Sequence, residues 1–269
     1  MAMTTREDGQ SVEAAVSAQF ASVAENYRTS SVHAQGDDLD PLVALARLQG
    51  HEYVLDAGCG AGHASAAAAL HAAHVTAYDL THAMLDQVNL LAAERQLTNI
   101  RCVQGNVESL PFATGAFDVV ISRYSAHHWG DPQSAVHEFR SVLKAGGRLV
   151  ISDIVAPESP LLDTWLQTLE VLRDPSHVRD HRASQWVSMF EAAGFRASVE
   201  FEWMLRLDFD SWVKRINTPA QYVAALNSLL SAAPREVWRG FSVSFSEGTS
   251  GLRSVGSFRI PGAIILGEL

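Results

Sequence analysis

Between residues 53 and 154, short apolar runs alternate with longer amphipathic ones. Tyr53–Ala57, His74–Asp79, Ile100–Gln104, Phe117–Arg123 and Gly147–Ile154 are strand-length and bounded by turn residues. Ala61–Ala73, Thr81–Gln96 and Pro132–Leu143 stand between them and carry apolar residues at helical spacing. Buried strands separated by helices predict a parallel sheet covered on both faces, with right-handed crossovers.

The flanks read differently. From Ser11 to Tyr27, the residues Val12, Val16, Phe20, Val23 and Tyr27 fall on roughly one face of a helix. Arg28 to Asp40 is a polar loop, and Pro41–Leu48 a short helix. After the fifth strand the pattern predicts helices at Leu161–Leu172 and Ser184–Ala193 around a polar loop, Arg173–Arg182. Gly194 follows the second helix and can take the positive φ of a helix end. Ala197–Leu207 is a strand, and Phe209–Phe245 a mostly helical insert rich in Trp and Phe. Ser257–Leu266 is a last extended segment, in which Pro261 favours a sheet edge or a bend.

Composition narrows the class. Of 269 residues, 47% are hydrophobic and 19% charged, which predicts an ordered fold. A formal charge of -10 argues against nucleic acid as the main partner. Cys59 and Cys102 are too few for a disulfide framework and suit a reducing compartment. The N-terminus lacks the apolar core of a signal peptide, and the alanine-rich run 64–73 is too short for a bilayer. The expectation is a cytoplasmic protein with no membrane insertion, a monomer or a homodimer.

The sharpest local signal is Val54-Leu55-Asp56-Ala57-Gly58-Cys59-Gly60-Ala61-Gly62, a strand that ends in a glycine-rich turn and opens into a helix. Such a turn lets a ligand approach free backbone N–H groups at a positive helix end. The dinucleotide fingerprint wants glycine at the sixth position, where His63 stands, and this argues against a nicotinamide oxidoreductase. Asp79 closes the second strand, 17 residues after Gly62. A carboxylate there can accept both hydroxyls of a ribose, while Thr81 stands where it can cap the next helix.

The order of these motifs resembles the class I S-adenosylmethionine (SAM) methyltransferases. It is nearest to the ubiquinone- and menaquinone-methyltransferase group of small-molecule enzymes. Gln104-Gly105-Asn106-Val107-Glu108-Ser109-Leu110-Pro111-Phe112 stands where the family holds the adenine edge, with Asn106 in place of the usual Asp. Ala145 replaces a common proline in the turn before the fifth strand. A bacterial branch shares Arg-Tyr-Ser-Ala-His-His-Trp, here 123–129, and Asp-x-Ser-His-Val-Arg, here 174–179.

The resemblance implies a Rossmann-like α/β sheet, mostly parallel with an antiparallel last strand, helices on both faces and a helical insert before that strand. It implies an N-terminal helical lid over 1–50, a SAM-binding core over 51–207, an acceptor-side cap over 208–250 and the last core strand over 251–269. The cofactor would be SAM, leaving as S-adenosylhomocysteine (SAH), and the partner a small-molecule acceptor. Asp56, Gly58, Gly60, Gly62, Asp79, Leu80, Met84, Asn106, Val107 and Arg123 would meet the cofactor. A SAM-binding fold that transfers no methyl group would carry the same motifs.

Ligands in open α/β sheets lie outside the carboxyl ends of the strands. This makes His128, His127 and Asp153 the candidates for base or anchor. Their adjacency should turn the two histidines apart. Tyr27, His33, His177, Arg179, His181 and Trp212 are candidate acceptor contacts, and an apolar or aromatic acceptor would suit the insert. No residue set has the spacing of a zinc site.

Overall fold

The computed structural model describes residues 11–29, 34, 36–247 and 253–269. Five parallel strands form its centre: β1 (Tyr53–Ala57), β2 (His74–Asp79), β3 (Ile100–Gln104), β4 (Phe117–Arg123) and β5 (Leu143–Ile154). Two long antiparallel strands extend it, β6 (Arg196–Asp208) and β8 (Arg253–Glu268), in the order β3-β2-β1-β4-β5-β8-β6. A short β7 (Ser244–Glu247) pairs with β8.

Strand residues point alternately to the two faces, and the core divides accordingly. Val54, Val119, Ile121, Val150 and Ile264 pack on one face with α3 (Leu39–Ala46) and α4 (His63–Ala69). Leu55, Val120, Leu149, Ile151 and Ile265 pack on the other with α6 (Pro132–Val142) and α8 (Ala183–Ala192). The helix α5 (His82–Glu94) covers β2 and β3. These strands are apolar on both sides because helices bury both sides.

Beyond the end of β5, the ribbon of β6 and β8 continues past the carboxyl ends of the parallel strands and is joined by β7. Four helices cover it with one apolar cluster: α7 (Pro160–Arg173), α9 (Phe209–Arg215), α10 (Ala220–Ala232) and α11 (Arg235–Gly240). Most insert aromatics therefore serve packing; Trp212, Phe241 and Phe258 are each at most 2% exposed.

Several expectations need correction. The helix expected over Ser11–Tyr27 is two, α1 (Val12–Ala21) and α2 (Ala24–Arg28), broken at Ser22–Val23. The insert ends in β7 rather than in helix. Pro261 lies inside an inner strand, not at an edge. Its carbonyl accepts the Val155 N–H, so the missing N–H faces the same side, where the β5 ladder has ended. Gly194, by contrast, has φ +90° after α8 as expected.

Candidate active site

The turn after β1 brings the site together. Gly58 has φ +71°, and a Cβ there would fall 1.9 Å from Ser125 Oγ. Glycine thus lets the turn after β1 lie against the turn after β4. Around this contact is a cavity of about 320 Å³. Gly58, Gly60, Asp79, Leu80, Met84, Asn106, Val107 and Arg123 all line it. Asp56 and Gly62 do not; Gly62 instead starts α4 with φ +87° and packs on Val88.

Two carboxylates are held within this turn. Asp79 Oδ2 accepts the Gly60 N–H and Oδ1 the Thr81 N–H, both at 2.8 Å. Thr81 therefore makes no side-chain cap for α5, contrary to expectation; its N–H is used to fix Asp79. Burial pushes the Asp79 carboxyl up from its ordinary range. Asp56 is fully buried, takes the Ser65 hydroxyl on Oδ2 at 2.5 Å and has no partner on Oδ1. Burial raises it to about 7. The Cys59 thiol is pushed well up by burial and by Asp79, so it stays protonated.

Asn106 lies in the cavity wall, but its side-chain carbonyl accepts the Glu108 N–H at 2.9 Å and its amide donates to Glu13. That second bond comes from α1, which also supplies Val12, Val16 and Phe20 to the cavity. Arg123 is in the wall too, but it faces Asp38 with two bonds, Nε to Oδ2 at 2.6 Å and Nη2 to Oδ1 at 2.8 Å. Asp38 also accepts the hydroxyls of Ser152 at 2.8 Å and Tyr124 at 3.1 Å. Sequence reasoning missed Asp38, which carries no motif; its role depends on three residues far along the chain.

Tyr124 was also missed. It sits at φ +51°, a left-handed conformation that costs a bulky residue about 1–3 kcal/mol. It lines both the first cavity and a second, smaller one of about 60 Å³. Phe20, Tyr27, Tyr124 and His128 line both.

His127 and His128 occupy a 3₁₀ turn, Ala126–His128. Contrary to expectation their rings are neighbours, with centroids 4.3 Å apart, and both line the second cavity. The tight turn removes the alternation an extended chain would impose. His127 Nδ1 meets Asp153 Oδ1 at 2.7 Å. Burial opposes its charge, but Asp153 overcomes this and raises it to about 9. Asp153 also accepts the N–H groups of Ser125 and Ala126, so it anchors the turn rather than standing ready as a base. His128 Nδ1 lies 3.1 Å from the Ser176 carbonyl, which makes Nδ1 the donor and leaves Nε2 unprotonated. Burial, then repulsion from His127, push it down to about 4.

The remaining acceptor candidates divide. Tyr27 and Trp212 line the second cavity. His177 lines neither cavity; it is buried against Gln167, and burial with His127 lowers it to about 2. Arg179 is outside both, paired with Asp163, and His181 is outside both, against the Trp186 ring. His33 falls outside the described residues. Among the described residues no group of three or more His, Cys, Asp or Glu could hold a metal ion, and no helix is long and apolar enough to cross a membrane.

The raised His127 makes stability depend on pH. Its folded value lies above its ordinary 6.5, so its contribution is full below that pH and is lost as pH rises through about 9. The stability difference between wild type and His127→Gln should therefore shrink between pH 6 and pH 9.5 in urea unfolding. A difference independent of pH would show that the imidazole is not charged in the folded protein.

A family model described as a methyltransferase domain matches residues 55–151. The uncharacterized methyltransferase YcgJ of Bacillus subtilis is 37% identical over 228 residues, covering 85% of this chain and 90% of YcgJ. The chain belongs to the class I SAM-dependent methyltransferases of the small-molecule group, and is an enzyme of SAM-dependent methyl transfer. Its particular relatives include the uncharacterized protein YafE of Escherichia coli, 44% identical over 186 residues, or 69% of this chain and 90% of YafE. The crystal structure of B. subtilis YcgJ superposes with a TM-score of 0.81 at 35% identity, over 86% of this chain and 97% of that one.

Proposed function

We propose that the larger cavity holds SAM and the smaller one a small, largely apolar acceptor, with methyl transfer past Tyr124 and His128. The observation that carries this reading is the shared wall: Phe20, Tyr27, Tyr124 and His128 border both cavities.

The residues fit the cofactor. Asp79 is fixed by two backbone N–H bonds and keeps lone pairs for ribose hydroxyls. Leu80, Met84 and Val107 offer apolar walls for a base ring, and the backbone of Gly58–Gly60 can be approached closely. The partnerless Asp56 Oδ1 suits a polar or cationic group near the start of the turn. SAM supplies a methyl group on a sulfonium, already electrophilic, so the protein must hold the acceptor in line with it.

Residues 11–28 form the outer wall of both cavities through Phe20 and Tyr27, which supports a lid role for the N-terminal helices. Such a cover excludes water from the reacting atoms. The helices of 208–250 close the second cavity through Trp212 and Arg215. His128 is neutral at neutral pH, and its unprotonated Nε2, 3.9 Å from the buried Asp174 carboxylate, is the atom able to take a proton from the acceptor. Its low basicity suits an acceptor atom that is already nucleophilic, or one that becomes acidic on methylation. His127 and Asp153 shape the turn that presents it.

His128→Ala should lower kcat by about 10²-fold while SAH affinity changes little. An unaltered rate at saturating acceptor would remove His128 from the proton-accepting role. The assignment as a whole is tested by incubating the enzyme and an Asp79→Ala control with methyl-labelled SAM and a bacterial metabolite extract. Label in one small-molecule peak, absent from the control, is the expected result. SAH binding without any transfer would favour a SAM-binding fold that moves no methyl group.

A further inference from the structure

The charges around the second cavity are not all paired. Arg173 is engaged on several sides. Its Nη1 lies 3.4 Å from Glu170 Oε2, its Nε donates to the Trp212 carbonyl at 3.2 Å, and its guanidinium covers the Trp212 ring at 5.1 Å. His127 is matched by Asp153 at 2.7 Å. Asp180, also in the wall, is fully buried, and burial together with Glu170 pushes its carboxyl well up toward the neutral form.

Arg215 is left over. It ends α9 and lines the cavity, yet among the described residues its guanidinium makes no ion pair and no hydrogen bond. Its own carbonyl is used, accepting from Asn26 of α2 at 3.1 Å, so the backbone is fixed while the charge is not met. Burial and then Arg173 act against the charge on Arg215 and outweigh Glu170, which favours it without an ion pair. Arg215 is half-buried, and a guanidinium that gives up water without gaining an anion bears a desolvation cost. The rest of the wall is apolar, with Leu205 and Leu207 of β6 and Ile260 of β8. Guanidinium matches the planar fork of a carboxylate and the oxygens of a phosphoryl group.

We infer that the methyl acceptor enters the second cavity as an anion, a carboxylate or phosphoryl group on a small apolar body, and that Arg215 is its counter-ion. This rests on the reading that the second cavity holds the acceptor. Arg215 binds and orients, and does no chemistry. Arg179, a candidate acceptor contact in the sequence, is committed to Asp163 and lines neither cavity.

The test uses three probes with the same apolar body: butyrate, butyramide and butyl phosphate. Each is titrated into the SAH-loaded protein and followed by NMR chemical shifts. Butyrate or butyl phosphate should bind at least tenfold tighter than butyramide, and the tighter of the two identifies the anion. Arg215→Met should abolish the preference and Arg215→Lys keep part of it, with SAH affinity unchanged in both variants. That SAH readout shows the variants folded. Equal binding of butyramide, a preference that survives Arg215→Met, or no binding of any probe would overturn the inference. Failure of SAH to bind the wild-type protein would overturn the cofactor reading, and this inference with it.

Discussion

Replacing Asp79 by alanine is expected to weaken SAH binding by roughly 10²–10⁴-fold. The carboxylate lies in the cavity wall at the end of β2, and can offer up to two charge-assisted bonds to ribose. Each is worth roughly 1.5–3 kcal/mol. The same oxygens accept the N–H groups of Gly60 and Thr81, so the substitution also loosens the glycine turn. Asp79→Asn separates the effects: it keeps one carbonyl acceptor and the shape, but no charge. Calorimetry with SAH should rank wild type, Asn and Ala in that order. An Ala variant with unchanged SAH affinity would falsify the ribose assignment.

Asp38→Ala should cost the fold about 3–5 kcal/mol, the usual penalty for leaving one member of a buried ion pair alone. Asp38 is fully buried and accepts from Arg123, Ser152 and Tyr124 at once. Removing it takes the paired carboxylate from a guanidinium that is 4% exposed. It also frees Tyr124, whose left-handed backbone depends on surrounding contacts. The loss is measured as a shift in the urea midpoint at constant slope. The double variant Asp38→Leu with Arg123→Met should recover part of it, because an apolar pair leaves no charge behind. A loss below about 1 kcal/mol for Asp38→Ala would mean that Arg123 finds another anion.

Much of the cofactor side is legible along the chain, because its residues are consecutive. The glycine turn, Asp79 after β2 and the Asn106 turn after β3 each follow a strand end, and a parallel sheet brings all its strand ends to one edge. Near-continuous burial in β1, β4 and the second half of β5 is equally plain, since each strand is covered on both faces. Pro261 misled because a proline is excluded only where its N–H would be needed, and that depends on where the neighbouring strand stops. His127 and His128 misled because side-chain direction follows the local turn, a 3₁₀ turn that nothing in the residue types announces.

The acceptor side was hidden for a different reason. Its wall draws on the first helices, the β4 turn, the end of β5, α7, Asp180 of the 174–182 loop, β6, α9 and β8. Periodicity tells which face of each element is buried, but not which buried faces meet. The charges that matter there are spread in the same way. Arg173 and Asp38 fall in segments that read as polar loops, and Arg215 in the mostly helical insert. Local order was enough for the strands, the turn and its carboxylate, since these are set by contacts between near neighbours and by the pleat of a single sheet. Which arginine is paired, which is left facing a cavity, and that this cavity borders the larger one, were decided only when the long β6–β8 ribbon and its helices folded over the strand ends.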